Sequence, residues 1–231
     1  MKKLLLYGLQ RSGTNFVEQL IARNFNVTFL NSNEHRDAPI QKHFRLYDDK
    51  SVITPPAYGN DYQFRNFEEF EAVLPEPADG YVVISKDPYS WTLSYQKWAK
   101  KCNWPNARFH PAAEWEAFYA KWVDFSRQTD RITFVRYADL LERSDNVLIR
   151  LKRNLGLELK DGRTEFTGAL DRVPQSGAFT DDKRLYYTER RYLAELSEQE
   201  ISAINDEVTD STLAEVDYER VRAEAGSSQS A

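Results

Sequence analysis

The sequence predicts an α/β protein, a three-layer α/β/α arrangement around a central, mainly parallel sheet. Apolar runs alternate with amphipathic stretches, and Leu4-Leu5-Leu6 feeds straight into a glycine turn and a helix. A second apolar run, Val82-Val83-Ile84, ends in Lys86-Asp87-Pro88 and another helix. With 231 residues, 41% of them hydrophobic, the chain buries one substantial core. The expectation is a single domain over 1–225 and a disordered tail over 226–231, where the residues are small and polar.

Taken in order, the expected strands cover 3–7, 26–30, a weaker segment at 44–47, 81–85 and 132–136. Residues 15–23 read as the first helix, with Phe16, Leu20 and Ile21 inward. Asn66 caps a short helix that turns Phe67, Phe70, Val73 and Leu74 to one face before Pro75 stops it. His110 and Pro111 open a helix whose Trp115, Phe118, Tyr119, Trp122 and Phe125 form a core stripe at helical spacing. Ser144 caps a helix burying Val147, Leu148, Leu151 and Leu155, and Gly156 closes it. Ser197 with Glu200 forms a capping box ahead of Ile201, Ile204 and Val208.

A net charge of −5 and a pI near 5.4 argue against a nucleic-acid partner, so any site for a polyanion is local. The N-terminus begins like a secretory leader, but its apolar stretch is too short, and no segment reaches the length of a membrane span. Cys102 is the only cysteine, which rules out an internal disulfide and a thiolate metal cluster. The expected localisation is cytoplasmic.

The turn after the first strand, Gly8-Leu9-Gln10-Arg11-Ser12-Gly13-Thr14-Asn15, is built as an anion cradle. Backbone N–H groups of such a turn and of the next helix converge on a phosphate-sized anion, and Arg11, Ser12 and Thr14 add a cation and two hydroxyls. It departs from the nucleoside-triphosphate loop in a telling way. Thr14 stands where the lysine belongs, the cation has moved upstream to Arg11, and Asn15 replaces the metal-binding hydroxyl.

In the second segment Asp87 is the expected N-cap and Pro88 sits at the first helical position. Trp91, Ser94, Tyr95 and Trp98 then share a face. The Ser94 hydroxyl on this aromatic face needs a partner, either its own i−4 carbonyl or an anion shared with Lys86. Loops at the carboxyl ends of parallel strands face one crevice. Two anion sites there fit a nucleotide with phosphates at both ends of its ribose.

These residues resemble the sulfotransferases that use 3′-phosphoadenosine 5′-phosphosulfate (PAPS). Arg11-Ser12-Gly13-Thr14-Asn15-Phe16 matches the family's 5′-phosphosulfate loop, and Lys86-Asp87-Pro88 with Ser94 matches its 3′-phosphate motif, with Lys86 in place of the usual Arg. Val135-Arg136-Tyr137-Ala138-Asp139-Leu140 and the leucines up to Leu157 are similar to a third segment, where Ala138 replaces a usual Glu. The likeness runs in family order from Leu4 to about Leu159. The basic, glycine-containing loop that closes on the 3′-phosphate in many members is lacking. Its nearest counterpart holds Ser176, Gly177, Lys183 and Arg184, which either cover the nucleotide or form a solvated loop.

The resemblance implies sulfuryl transfer from PAPS to a hydroxyl or amine of a small-molecule or carbohydrate acceptor, in line and without a metal. It specifies neither the acceptor nor the oligomeric state. Arg11 and the amides of 12–15 would offset charge on the leaving oxygen, and Phe16 either stacks on adenine or packs against the sheet. For the general base, Gln41-Lys42-His43 resembles the family's Lys-His pair, supplying Lys42 as cation and His43 as base. His35 and Glu34 are the alternatives, and spacing alone leaves open that none of them serves. Trp91, Tyr95, Trp98, Trp104, Tyr58 and Tyr62 are either core or acceptor-pocket rings, and 54–62 reads as an acceptor-side loop. Two other readings stand beside this one. One is a kinase using ATP and Mg²⁺ with Asp87 as metal ligand, and the other is a non-catalytic nucleotide-binding relative.

Overall fold

The structure, a computed structural model, describes residues 1–32, 37–47, 63–104, 109–160, 162–166, 172–173, 177–178 and 180–222. Its elements in chain order are β1 (Lys2–Tyr7), α1 (Thr14–Asn24), β2 (Val27–Phe29), α2 (Phe67–Ala72), β3 (Gly80–Ser85), α3 (Pro88–Lys101) and α4 (Pro111–Ser126). There follow β4 (Ile132–Arg136), α5 (Tyr137–Glu142), α6 (Ser144–Leu155), β5 (Arg172–Val173), β6 (Gly177–Ala178), α7 (Asp181–Thr188), a 3-10 turn (Arg191–Glu195), α8 (Glu198–Glu207) and α9 (Asp210–Glu215).

β1 to β4 form a parallel sheet in the order β2-β1-β3-β4. Leu4 pairs with Gly80 and Tyr7 with Val83, while Ser85 lies opposite Arg136. The chain leaves β1 toward one edge and resumes at β3 on its other side. The switch point of the sheet therefore falls between the carboxyl ends of β1 and β3, where such folds open a crevice. β5 and β6 make a separate antiparallel pair.

Alternation along the strands assigns the two faces. Leu4, Leu6, Val82 and Ile84 point to a core closed by α1, α5 and α6, through Phe16, Leu20, Ile21, Leu140, Leu148 and Leu151. Leu5, Tyr7, Tyr81 and Val83 point the other way, onto an aromatic core from α2, α3, α4 and α8. All five aromatic residues of the α4 stripe are fully buried. Trp122 at its centre packs 4.9 Å from Tyr7 and 5.7 Å from Phe70. Strands covered on both faces read as continuous apolar runs, as these do.

Local signals account for most boundaries. Asn66 Oδ1 accepts from the Glu69 amide at 2.9 Å, Ser197 and Glu200 form the reciprocal capping box, and Gly156 ends α6 with φ at 59°. Among the described residues no helix is long and apolar enough to cross a membrane.

Several expectations need correction. β2 is shorter than 26–30, because the Asn31 side chain takes over the ladder. It donates to Leu6 O at 2.6 Å and accepts from Leu6 N at 2.9 Å. Residues 44–47 form no strand. The segment opens on a turn, with Phe44 N donating to Gln41 O at 3.0 Å, and Phe44, Arg45 and Leu46 are buried. Val73 is 46% exposed, since α2 ends one residue before it. α6 begins at Ser144, so Arg143 and not Ser144 is the N-cap residue. α7 and α9 have no counterpart among the expected elements, although Thr180 and Thr209 cap them through side-chain oxygens. The expected tail at 226–231 lies outside the described residues.

Candidate anion-binding site

The turn after β1 is pinned from several sides. Gly8 N donates to Lys42 O at 3.1 Å, Ser12 N to Leu9 O at 3.0 Å, and Trp91 Nε1 to Gln10 O at 2.8 Å. Gly8 permits the close approach of the turn to β3, since a Cβ there would meet Ile84 Cγ2 and Ser12 Oγ at 2.7 Å. Gly13 has φ at 99° and lies under the Tyr137 ring, where a Cβ would stand 2.6 Å from Cδ2. Arg11 also takes a positive φ, 73°. Left-handed residues on either side of Ser12 fold the backbone into a concavity of the kind that receives anions. The first α1 bond runs from Phe16 N to Gly13 O, so the amides of Gly13, Thr14 and Asn15 precede the helical ladder.

Within this turn Ser12 and Thr14 are buried and Arg11 is exposed. Ser12 Oγ is buried beside the Tyr119 hydroxyl. The Arg11 guanidinium rests 4.6 Å from the Trp98 ring centroid, an arrangement that holds a planar cation at the rim. Phe16 is 3% exposed, in the core, edge-on to Tyr137.

The end of β3 supplies the second part. Lys86 Nζ donates to Ser94 Oγ at 2.6 Å and to the Tyr187 hydroxyl at 3.3 Å, and stands 4.3 Å from the Tyr187 ring and 5.4 Å from the Tyr137 ring. Burial first, then Arg11, with smaller effects of Lys183 and Lys97 and against the opposing pull of Asp87, lowers the Lys86 pKa to about 7. Burial and Arg11 lower Lys183 as well. Arg11, Lys86 and Lys183 thus gather on one side of the crevice, an arrangement that favours an anion there.

Three aromatic donors fix the strand end beneath Lys86. Tyr119 donates to Ile84 O at 2.9 Å, Tyr218 to Ser85 O at 3.0 Å and Trp115 to Lys86 O at 2.8 Å. Asp87 caps α3, one carboxylate oxygen accepting from Tyr89 N at 3.0 Å and Ser90 N at 3.3 Å, the other from Arg190 at 3.2 Å. Burial raises its pKa while Arg190 opposes the shift. Both oxygens are engaged, so the metal-ligand role of the kinase reading finds no support in the position of Asp87.

Lys42 and His43 flank the same turn. Lys42 is buried, pairs with Glu18 and reaches Asn15 Oδ1 at 3.4 Å. Burial lowers its pKa and Glu18 raises it. His43 Nδ1 lies 2.9 Å from Gly8 O. A carbonyl only accepts, so Nδ1 carries the proton and Nε2 the lone pair of the neutral ring.

α7 brings Lys183, which the sequence marks, and Tyr187, which it does not, to the crevice, one helical turn apart on one face. Arg184 instead pairs with Asp181 at 3.1 Å. A cleft of about 520 Å³ opens beside Lys86, with Tyr137, Tyr187, Arg190 and Tyr192 among its walls. Tyr187 and Arg190 are not among the residues that the sequence marks. The available signal was the Thr180 cap with Lys183 and Tyr187 four residues apart. Trp91 and Tyr95 are core residues, while Trp98 and Trp104 are half-buried. Glu34, His35, Tyr58, Tyr62, the 54–62 loop and Ser176 lie outside the described residues.

No model of a protein family matches the chain, and no curated protein matches it in sequence. Among solved structures it is similar to mouse sulfotransferase SULT7A1 complexed with PAP, at 13% identity and a TM-score of 0.48, over 94% of this chain and 89% of that one. A likeness of that size carries no inference about activity.

Proposed function

We propose that the chain is a PAPS-dependent sulfotransferase acting on a hydroxyl or amine of a small-molecule or carbohydrate acceptor. One observation carries the reading. Two independent sets of cations and hydroxyls, Arg11 with Ser12 and Thr14 after β1 and Lys86 with Ser94 after β3, meet at the switch point of one parallel sheet.

The residues present fit the donor. The buried Ser12 hydroxyl, the Gly13 concavity and Lys86, buried beside other cations, are features that a nucleotide with phosphate at both ends satisfies together. When bound, the nucleotide supplies an activated sulfuryl group. Arg11, Ser12 and Thr14, with the amides of 13–15, hold the 5′ end and offset the charge that grows on the leaving oxygen, the Ser12 amide being taken up by Leu9 O. Lys86 and Ser94 hold the 3′ phosphate, and Lys183 adds a cation from α7. The tyrosine-lined cleft offers aromatic faces to the base, and Phe16 backs the turn from the core. His43, with its proton fixed on Nδ1, takes the acceptor proton at Nε2, while Lys42 stands beside Asn15 at the 5′ end. His35 and Glu34 are the alternative bases.

The test is a titration with adenosine 3′,5′-bisphosphate in the presence of a chelator, with ADP as the comparison lacking a 3′ phosphate. Metal-free binding that ADP does not reproduce supports the reading, and transfer from PAPS onto a panel of phenols, alcohols, amines and sugars then identifies the acceptor class. A preference for ATP with Mg²⁺ overturns it. Binding without transfer to any acceptor supports the non-catalytic relative.

A further inference from the structure

The geometry points to Tyr187 as a third ligand of the 3′ anion and a determinant of nucleotide specificity, completing the Lys86–Ser94 pair from α7. The inference rests on the sulfotransferase reading, and Tyr187 is not among the residues that the resemblance carries over.

Lys86 presents a point charge, whereas an arginine offers a planar fork that grips two oxygens at once. A lone ammonium therefore needs help to orient a phosphate. Lys86 Nζ donates to two hydroxyl oxygens, Ser94 Oγ at 2.6 Å and Tyr187 Oη at 3.3 Å. Ammonium has three protons, so one N–H remains after these two bonds. Each hydroxyl accepts from Nζ, and the Ser94 and Tyr187 hydroxyls also bond to each other. An anionic oxygen entering beside Nζ can take the third N–H and, by displacing that mutual bond, both hydroxyl protons. Three donors on a strand end, on α3 and on α7 then replace the two-pronged grip of a guanidinium.

The position of Tyr187 is fixed by packing. Its ring stands edge-on to Tyr137 at 5.0 Å and to Tyr186 at 5.0 Å, and lies 4.3 Å from Lys86 Nζ. Tyr137 in turn covers Gly13. The same ring thus links the 3′ side of the crevice to the 5′ turn. Removal of the hydroxyl alone leaves these ring contacts in place.

The experiment titrates the full chain, Y187F, K86R and K86R/Y187F with adenosine 3′,5′-bisphosphate and with adenosine 5′-monophosphate. The expected result is a roughly ten- to hundredfold loss of bisphosphate affinity in Y187F with monophosphate affinity unchanged. In the K86R background, where a guanidinium supplies the second donor, the Y187F loss shrinks. Equal losses for both nucleotides assign Tyr187 a structural role and overturn the proposal, as does an unchanged bisphosphate affinity. If the unaltered chain does not prefer the bisphosphate, the sulfotransferase reading itself fails and takes this proposal with it.

Discussion

Lys86 Nζ donates to Ser94 Oγ across 2.6 Å, which ties the end of β3 to the second turn of α3. Burial and neighbouring cations hold this ammonium at about 7. A phosphate beside it reverses the second cause and favours the protonated form. Nucleotide binding above pH 7 therefore takes up a proton, and affinity falls as pH rises, by at most about tenfold per pH unit. Calorimetry near pH 8 in buffers of different ionisation enthalpy should register an uptake approaching one proton. K86R, charged throughout, should flatten the dependence.

Lys86 also makes a prediction for stability. Its folded pKa, about 7, lies below the ordinary lysine value of 10.5. Between these values the unfolded chain binds more protons than the folded one, so this group's contribution to stability rises with pH across the window and is least favourable below 7. K86M should therefore melt higher than the parent chain at neutral pH, with a difference that narrows toward pH 10. A constant difference across that range would show that the charge is not its source.

Gly13→Ala should destabilise the chain by roughly 1–3 kcal/mol and abolish nucleotide binding. Both the positive φ and the 2.6 Å approach to Tyr137 oppose a Cβ. Gly156→Ala, at a position with φ at 59° where a Cβ meets nothing within 4 Å, carries the dihedral cost without the clash and should destabilise less in thermal unfolding.

His43→Asn separates position from chemistry. An Asn amide can replace the Nδ1 donor to Gly8 O, but it offers no base in place of Nε2. Turnover should fall by about 10²-fold or more while nucleotide affinity stays within a few-fold. Turnover near the parent level would remove His43 from the mechanism and direct attention to Glu34 and His35.

The parts of the fold legible in the sequence are those encoded by neighbours along the chain. Glycine spacing marks the turn at 8–13, Asp87-Pro88 marks the start of α3, and an aromatic period marks α4. The eight-residue interval between Lys86 and Ser94 is likewise local, and the two side chains do meet. What stayed hidden depends on topology. Lys42 finds Glu18 on α1, and Tyr187 crosses 101 positions to reach Lys86, contacts that no local pattern encodes. α7 was illegible for a different reason. It is an eight-residue helix with no fully buried side chain, so it lacks the apolar period that marks α4 and is held by its cap and its contacts at the crevice.

Carbonyl oxygens left over where a strand's ladder ends carry partial negative charge, which opposes an anion brought close to them. At the end of β3 the carbonyls of Ile84, Ser85 and Lys86 are each matched by a proton from Tyr119, Tyr218 or Trp115. The aromatic rings thus act as local shields, muting the backbone's own field and leaving Arg11, Lys86 and Lys183 to set the sign that an approaching polyanion encounters.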